Sequence, residues 1–207
     1  MKKAVVYIHG QGGNAGEAAH YAPLFPDKEV LGFDYRAGTP WEAESEFAAY
    51  FTSLSREYEE ITLIANSIGA FFSLCSPIGE TLKKAYFISP VVDMEALIIA
   101  LLAGAGLTEA ELKEKGTVNL PGGETLSWDY LSYVRAHPVK WEVPTAVLYG
   151  ENDALTDLAA VTAFAEKTAS SLTVMKGGEH WFHTGEQMAF LDEWIVSQKS
   201  SSCICEK

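Results

Sequence analysis

Four short clusters carry residue types that can do chemistry together. Ala65-Asn66-Ser67-Ile68-Gly69 lies between two apolar runs and follows a G-x-S-x-G pattern with alanine at the first glycine. A strand that turns sharply into a helix lifts a serine hydroxyl to the edge of a sheet and needs small neighbours. Such a serine also stands at a helix N-terminus, where free amides and the dipole favour developing negative charge. Ser67 is therefore the candidate nucleophile, with a plain helix-capping serine as the alternative. His9-Gly10-Gln11-Gly12-Gly13 follows the first β-branched run. Glycine-rich backbone there can aim amides at an oxyanion, and the N–H groups of Gln11 and Ile68 are the expected donors. His9 itself reads as structural. The loop lacks both the lysine of a phosphate-binding loop and the spacing of a dinucleotide fingerprint.

The other two clusters supply a carboxylate and an imidazole. In Tyr149-Gly150-Glu151-Asn152-Asp153, Asp153 is the group expected to orient a histidine and stabilise its cation. Glu151 and Asp157 are the alternatives, and Asp157 is better placed to cap the next helix. In Gly177-Gly178-Glu179-His180-Trp181-Phe182-His183, His180 follows the turn directly and is the expected general base, with His183 as competitor. The Trp181 and Phe182 rings are expected to wall the site.

These clusters need elements to position them. Ala4–Ile8, Val30–Tyr35, Ile61–Ala65, Ala85–Ile88, Ala146–Tyr149 and Leu172–Met175 are short apolar runs that read as strands. Helical spacing runs over Glu42–Tyr58, Gly69–Cys75, Leu158–Lys167 and Gln187–Val196. Apolar strands alternating with helices imply a parallel sheet covered on both faces. Each chemical cluster then falls at the carboxyl end of a separate strand, where open α/β sheets build their sites. Residues 91–144 exceed what one crossover needs. They hold an apolar segment Met94–Leu107, a charged helix Glu109–Lys115, a turn at Pro121-Gly122-Gly123 and an aromatic stretch with Trp128, Tyr130 and Tyr133. This reads as a cap insertion within a single domain spanning residues 1–207. Its Leu101, Trp128 and Tyr130, with Trp181, are the expected substrate-pocket residues.

In this order of serine, aspartate and histidine, the chain resembles the α/β-hydrolase superfamily over essentially its whole length. It is most similar to small bacterial members with a minimal core and a short cap after the fourth strand. The resemblance implies a three-layer α/β-hydrolase fold with about six mostly parallel strands, helices on both faces and a small helical cap. The expected chain order of the strands is 2-1-3-4-5-6, without the family's two N-terminal antiparallel strands. The matching positions are Ser67 as nucleophile, His180 as base and Asp153 as acid. The implied activity is cleavage of carboxylester or thioester bonds in small, partly apolar substrates through an acyl-enzyme, with no metal and no organic cofactor. A non-catalytic binding protein on the same fold, a carbon–carbon bond hydrolase and a perhydrolase are the alternatives.

Composition narrows the partners. The chain has 207 residues, 12% of them aromatic, and a formal net charge of −13 from 28 acidic and 15 basic residues. Such a surface repels phosphate backbones and anionic lipid, so neither nucleic acid nor membrane is an expected partner; a small-molecule ester is. The Ala4–Ile8 run is too short for a signal-peptide core, and Met94–Leu107 falls short of the ~20 residues of a span, so a cytoplasmic protein is expected. Of the three cysteines, Cys75, Cys203 and Cys205, the last two lie in a serine-rich tail without the further ligands of a zinc site.

Overall fold

The computed structural model describes residues 2–201; Cys203 and Cys205 lie outside the described residues. The main sheet has six strands: β1 Lys2–Ile8, β2 Glu29–Gly32, β3 Tyr58–Asn66, β4 Leu82–Ile88, β7 Thr145–Gly150 and β8 Ser171–Met175. Its order is β2-β1-β3-β4-β7-β8 and every neighbouring pair is parallel. This is the expected 2-1-3-4-5-6 arrangement. Strand order reverses beside β1, so the loops after β1 and β3 open onto the crevice where doubly wound sheets bind ligands.

Alternation along the strands sorts side chains into two cores. Ala4, Val6, Ile8, Leu63, Ala65, Ala85 and Phe87 face one side, with Phe47 and Phe51 of α1 (Pro40–Leu54) and Phe72 of α2 (Ile68–Cys75). Val5, Tyr7, Ile64, Tyr86, Ile88 and Leu148 face the other, under Tyr21 of a 3₁₀ helix (Ala15–Leu24) and Leu191, Trp194 and Ile195 of α7 (Gly185–Ser201). Burying each large side chain contributes roughly 1.5–3 kcal/mol, so strands sandwiched on both faces are almost continuously apolar.

Several expected boundaries move, and two elements show why. The second strand stops at Gly32, short of Tyr35. A side chain at Gly32 would press into the Ala15 carbonyl, its Cβ only 1.9 Å from that oxygen, so the 3₁₀ helix crosses here. Phe33 and Tyr35 then leave the sheet, and their rings stack on Tyr50 at 3.9 Å and on His9 at 4.4 Å. The helix expected over Glu42–Tyr58 starts earlier, at Pro40 behind a Thr39–Glu42 capping box, and ends at Leu54. Tyr58 instead opens β3, paired with Lys2.

Between β4 and β7 the chain forms α3 (Met94–Gly104), α4 (Glu109–Lys115), a hairpin of β5 (Thr117–Asn119) and β6 (Thr125–Ser127), and α5 (Trp128–Ala136). Ile98, Leu102, Leu112 and Leu131 are buried in the same cluster as one face of the sheet. The inserted segment therefore shares the main core. α6 (Leu158–Lys167) follows β7, N-capped by Asp157. Among the described residues no helix is long and apolar enough to cross a membrane.

Candidate active site

β3 ends at Asn66 and α2 begins at Ile68, leaving one residue to make the turn. Ser67 takes φ 48°, ψ −118°, a strained conformation that costs on the order of 1–3 kcal/mol. Three backbone bonds hold it: the Ser67 N–H donates to the Ile88 carbonyl at 3.0 Å, and the Ala70 and Val91 N–H groups each donate to the Ser67 carbonyl at 3.2 Å. Glycine is needed at position 69 for room. A Cβ there would lie 2.4 Å from the His9 carbonyl oxygen. Ala65 carries no such demand, because it sits inside β3, paired with Ile8 and Phe87.

Ser67 Oγ lies 2.8 Å from His180 Nε2, and His180 Nδ1 lies 2.7 Å from Asp153 Oδ2. An ionised carboxylate only accepts, which puts the imidazole proton on Nδ1 and leaves Nε2 to accept from the serine hydroxyl. The Asp153 side chain is fully buried and takes four hydrogen bonds, from His180, the Thr156 hydroxyl and the backbone amides of Leu155 and Thr156. Burial alone pushes this carboxyl upward; the His180 and Thr156 bonds and the Leu155 amide together outweigh it and hold Asp153 below the usual carboxylate range.

The loops bearing Asp153 and His180 are locked together. The Asn152 N–H donates to the Gly178 carbonyl at 2.7 Å, and the Glu151 carboxylate accepts from the Gly177 N–H at 2.9 Å. Glu151 is thus a loop tie, and Asp157 caps α6. Gly150 lets the strands' ends meet, since a Cβ there would stand 2.5 Å from the Glu179 carbonyl oxygen. His183 points elsewhere, its Nδ1 2.7 Å from the Trp181 carbonyl.

The loop after β1 closes as a turn, with the Gly13 N–H donating to the Gly10 carbonyl at 3.1 Å and Gly12 at φ 77°. This pattern leaves the amides of Gln11 and Gly12 outside the turn's own bond. Ile68 is the first residue of α2, so its amide has no partner within the helix. Gly10 packs against Ser67, where a Cβ would come 3.2 Å from Ser67 Cβ. His9 is structural, stacked on Tyr35 with its Nδ1 2.8 Å from the Gly10 carbonyl.

A cavity of about 450 Å³ opens beside these amides. Gln11 and Ile68 form one end, Phe72 the floor, Met94, Leu97, Ile98 and Leu101 of α3 one wall, and Tyr130 another. Leu101 and Tyr130 are thus among the residues that line this cavity. Trp128 and Trp181 do not line this cavity. Trp128 packs on the core with Lys113 over its ring at 5.2 Å, and Trp181 is 71% exposed, stacked on His183. Phe182 is buried in the opposite core under α7. Of this loop's side chains, His180 is the one hydrogen-bonded to Ser67, while Trp181 faces outward and Phe182 packs inward.

Sequence reasoning missed a polar chain that runs from beside Ser67 out to the surface. Asn66 Nδ2 donates to Tyr7 Oη at 3.0 Å, and Tyr7 donates to Glu17 Oε2 at 2.6 Å. Glu17 Oε1 in turn accepts from the Asn14 N–H at 3.2 Å. The Asn14–Glu17 spacing is a capping-box signature, and that signal marks the start of the overlooked 3₁₀ helix. Among nearby nucleophiles, the Cys75 thiol is pushed up to about 12 by burial and then by Glu44, which leaves it inert.

Neither a scan of family models nor a search of curated proteins gives a match. Solved structures do match closely in shape. Mouse alpha/beta hydrolase domain-containing protein 10 superposes with a TM-score of 0.77 at 16% identity, over 96% of this chain and 90% of that one. Est1E from Butyrivibrio proteoclasticus gives 0.77 at 16% identity, over 98% and 89%. This chain has the α/β-hydrolase fold. A monoacylglycerol lipase from Paleococcus ferrophilus shares that α/β-hydrolase fold at a TM-score of 0.62 and 18% identity, covering 94% of each chain.

Proposed function

We propose that the protein is a serine hydrolase that cleaves carboxylester or thioester bonds of small, partly apolar substrates through an acyl-enzyme. The observation that carries this reading is the unbroken hydrogen-bonded chain Ser67–His180–Asp153, with 2.8 and 2.7 Å links, set at the crevice of the sheet. His180 takes the serine proton as Oγ attacks the carbonyl carbon. The amides of Gln11 and Ile68 face the oxyanion, each worth about 3 kcal/mol of transition-state stabilisation in such sites. Asp153 holds the imidazole tautomer and balances its charge. His180 then protonates the leaving group, and water activated by the same imidazole releases the acid. The acyl chain enters the cavity walled by α3, so residues 91–144 act as its cap.

The names of the neighbours, an esterase and a monoacylglycerol lipase among them, support the same reaction class. Steady-state hydrolysis of p-nitrophenyl esters with acyl chains of increasing length tests it. The rate is expected to rise over short chains as methylenes are buried, at roughly 0.8 kcal/mol each, and to fall once the cavity is full. No turnover of any ester or thioester in the series would overturn the proposal.

A further inference from the structure

The cavity has a charged edge that an ester with a plain alkyl chain would leave unused. Arg36 is the one Lys or Arg side chain lining it among the described residues, and it is exposed at the rim. Its loop is fixed. Both Glu46 oxygens accept from the Arg36 N–H, at 3.0 and 3.1 Å, and Glu46 Oε2 also accepts from the Ala37 N–H at 2.9 Å. Glu42 Oε2 accepts from the amides of Gly38 and Thr39 at 3.0 and 3.1 Å. The two α1 carboxylates nearest this loop are thus engaged by backbone amides. Glu124, the acidic residue in the cavity lining, folds its carboxylate back over the turn, where a Cβ on Gly122 would meet it at 2.4 Å. Among the described residues, no acidic side chain forms an ion pair with the Arg36 guanidinium. In a chain of net charge −13, this guanidinium on an anchored loop is the one cationic Lys or Arg side chain that the cavity offers among the described residues.

We propose that Arg36 is an anion-recognition site, and that the preferred substrates are esters whose acyl chain ends in a carboxylate or phosphate. The reacting carbonyl would lie at the Gln11 and Ile68 amides, the methylenes along Phe72 and α3, and the anionic end on the guanidinium fork, which matches either oxyacid bidentately. This inference rests on the ester-hydrolase reading for its reaction but not for its binding.

The test compares p-nitrophenyl half-esters of dicarboxylic acids with the same compounds methylated at the far carboxylate, in the wild type, Arg36→Gln and Arg36→Lys. The ratio of kcat/KM for charged over neutral ester is expected to fall about fivefold or more in Arg36→Gln and less in Arg36→Lys. A ratio equal in all three proteins overturns the inference while leaving ester hydrolysis intact. Calorimetric titration of Ser67→Ala protein, with and without Arg36→Gln, uses a dicarboxylate half-ester and its ω-phosphonate analogue. Binding that needs Arg36 supports the site even if no ester turns over, and the tighter of the two ligands identifies the oxyacid. Equal binding with and without Arg36 contradicts it.

Discussion

Asn66, the residue before Ser67, donates through Nδ2 to Tyr7 Oη at 3.0 Å, across the boundary between β3 and β1. Because Tyr7 passes its own proton toward Glu17, and Glu17 holds the Asn14 amide, one chain ties the serine turn to the loop that carries Gln11. The chain thus connects the segments that carry Ile68 and Gln11, the amides proposed as oxyanion donors. Tyr7→Phe removes the link with little change of shape. It is expected to lower kcat about tenfold or more while KM stays within about twofold, the signature of an interaction felt in the transition state. Steady-state kinetics on a short ester measures this. A rise in KM at constant kcat would place Tyr7 in substrate binding instead.

Asp153 links the site to stability. Its carboxyl is held below the ordinary range in the folded protein. The stabilisation is therefore complete above about pH 4 and is lost as the pH falls through the lower folded value. Denaturant unfolding of wild type and Asp153→Asn should show a gap that is widest at neutral pH and narrows below pH ~4. A gap that stays constant with pH would mean that the carboxylate charge contributes nothing to folding.

The cavity walls separate Leu101 from Trp128. Leu101→Ala deepens the cavity and should move the acyl-chain optimum toward longer esters, with attack on the shortest ester nearly unchanged. Trp128→Ala and Trp181→Ala should leave that optimum in place, since neither ring lines the cavity. The chain-length profile of the three variants decides this, and a shift in Trp128→Ala would show that the ring reaches substrate.

Tyr130 carries a buried hydroxyl with no hydrogen-bond partner among the described residues. Burial pushes its pKa far up, so it stays neutral and unpaired. Tyr130→Phe is expected to stabilise the protein by about 1 kcal/mol, or roughly 2–4 °C in Tm. A lower Tm in thermal melts would show that the hydroxyl has a partner after all.

Much of this was legible from residue types alone. The strands were readable because a sheet covered on both faces demands short, continuous apolar runs, as in Ile61–Ala65 and Ala146–Tyr149. The grouping of Ser67, Asp153 and His180 was readable because each follows such a run within three residues of a glycine, Gly69, Gly150 or Gly178. What stayed hidden depends on tertiary approach. Gly32 ends β2 only because the 3₁₀ helix crosses it. Trp128 and Trp181 read as pocket residues by composition, whereas tertiary packing sets Trp128 against the core and leaves Trp181 exposed. Arg36 sits in a loop and Glu17 in the first turn of a 3₁₀ helix, neither with an apolar periodicity to mark it, so their significance appears once β1, β2 and α1 are packed side by side.

The central claim is that Ser67 is an activated nucleophile paired to His180. A fluorophosphonate probe reacts with such a serine and with few others. The account predicts a stoichiometric adduct that peptide mass mapping places on Ser67. It is lost in Ser67→Ala, strongly slowed in His180→Ala and retained in His183→Ala. An unlabelled wild-type protein that is folded by circular dichroism, or an adduct on any other residue, would contradict it.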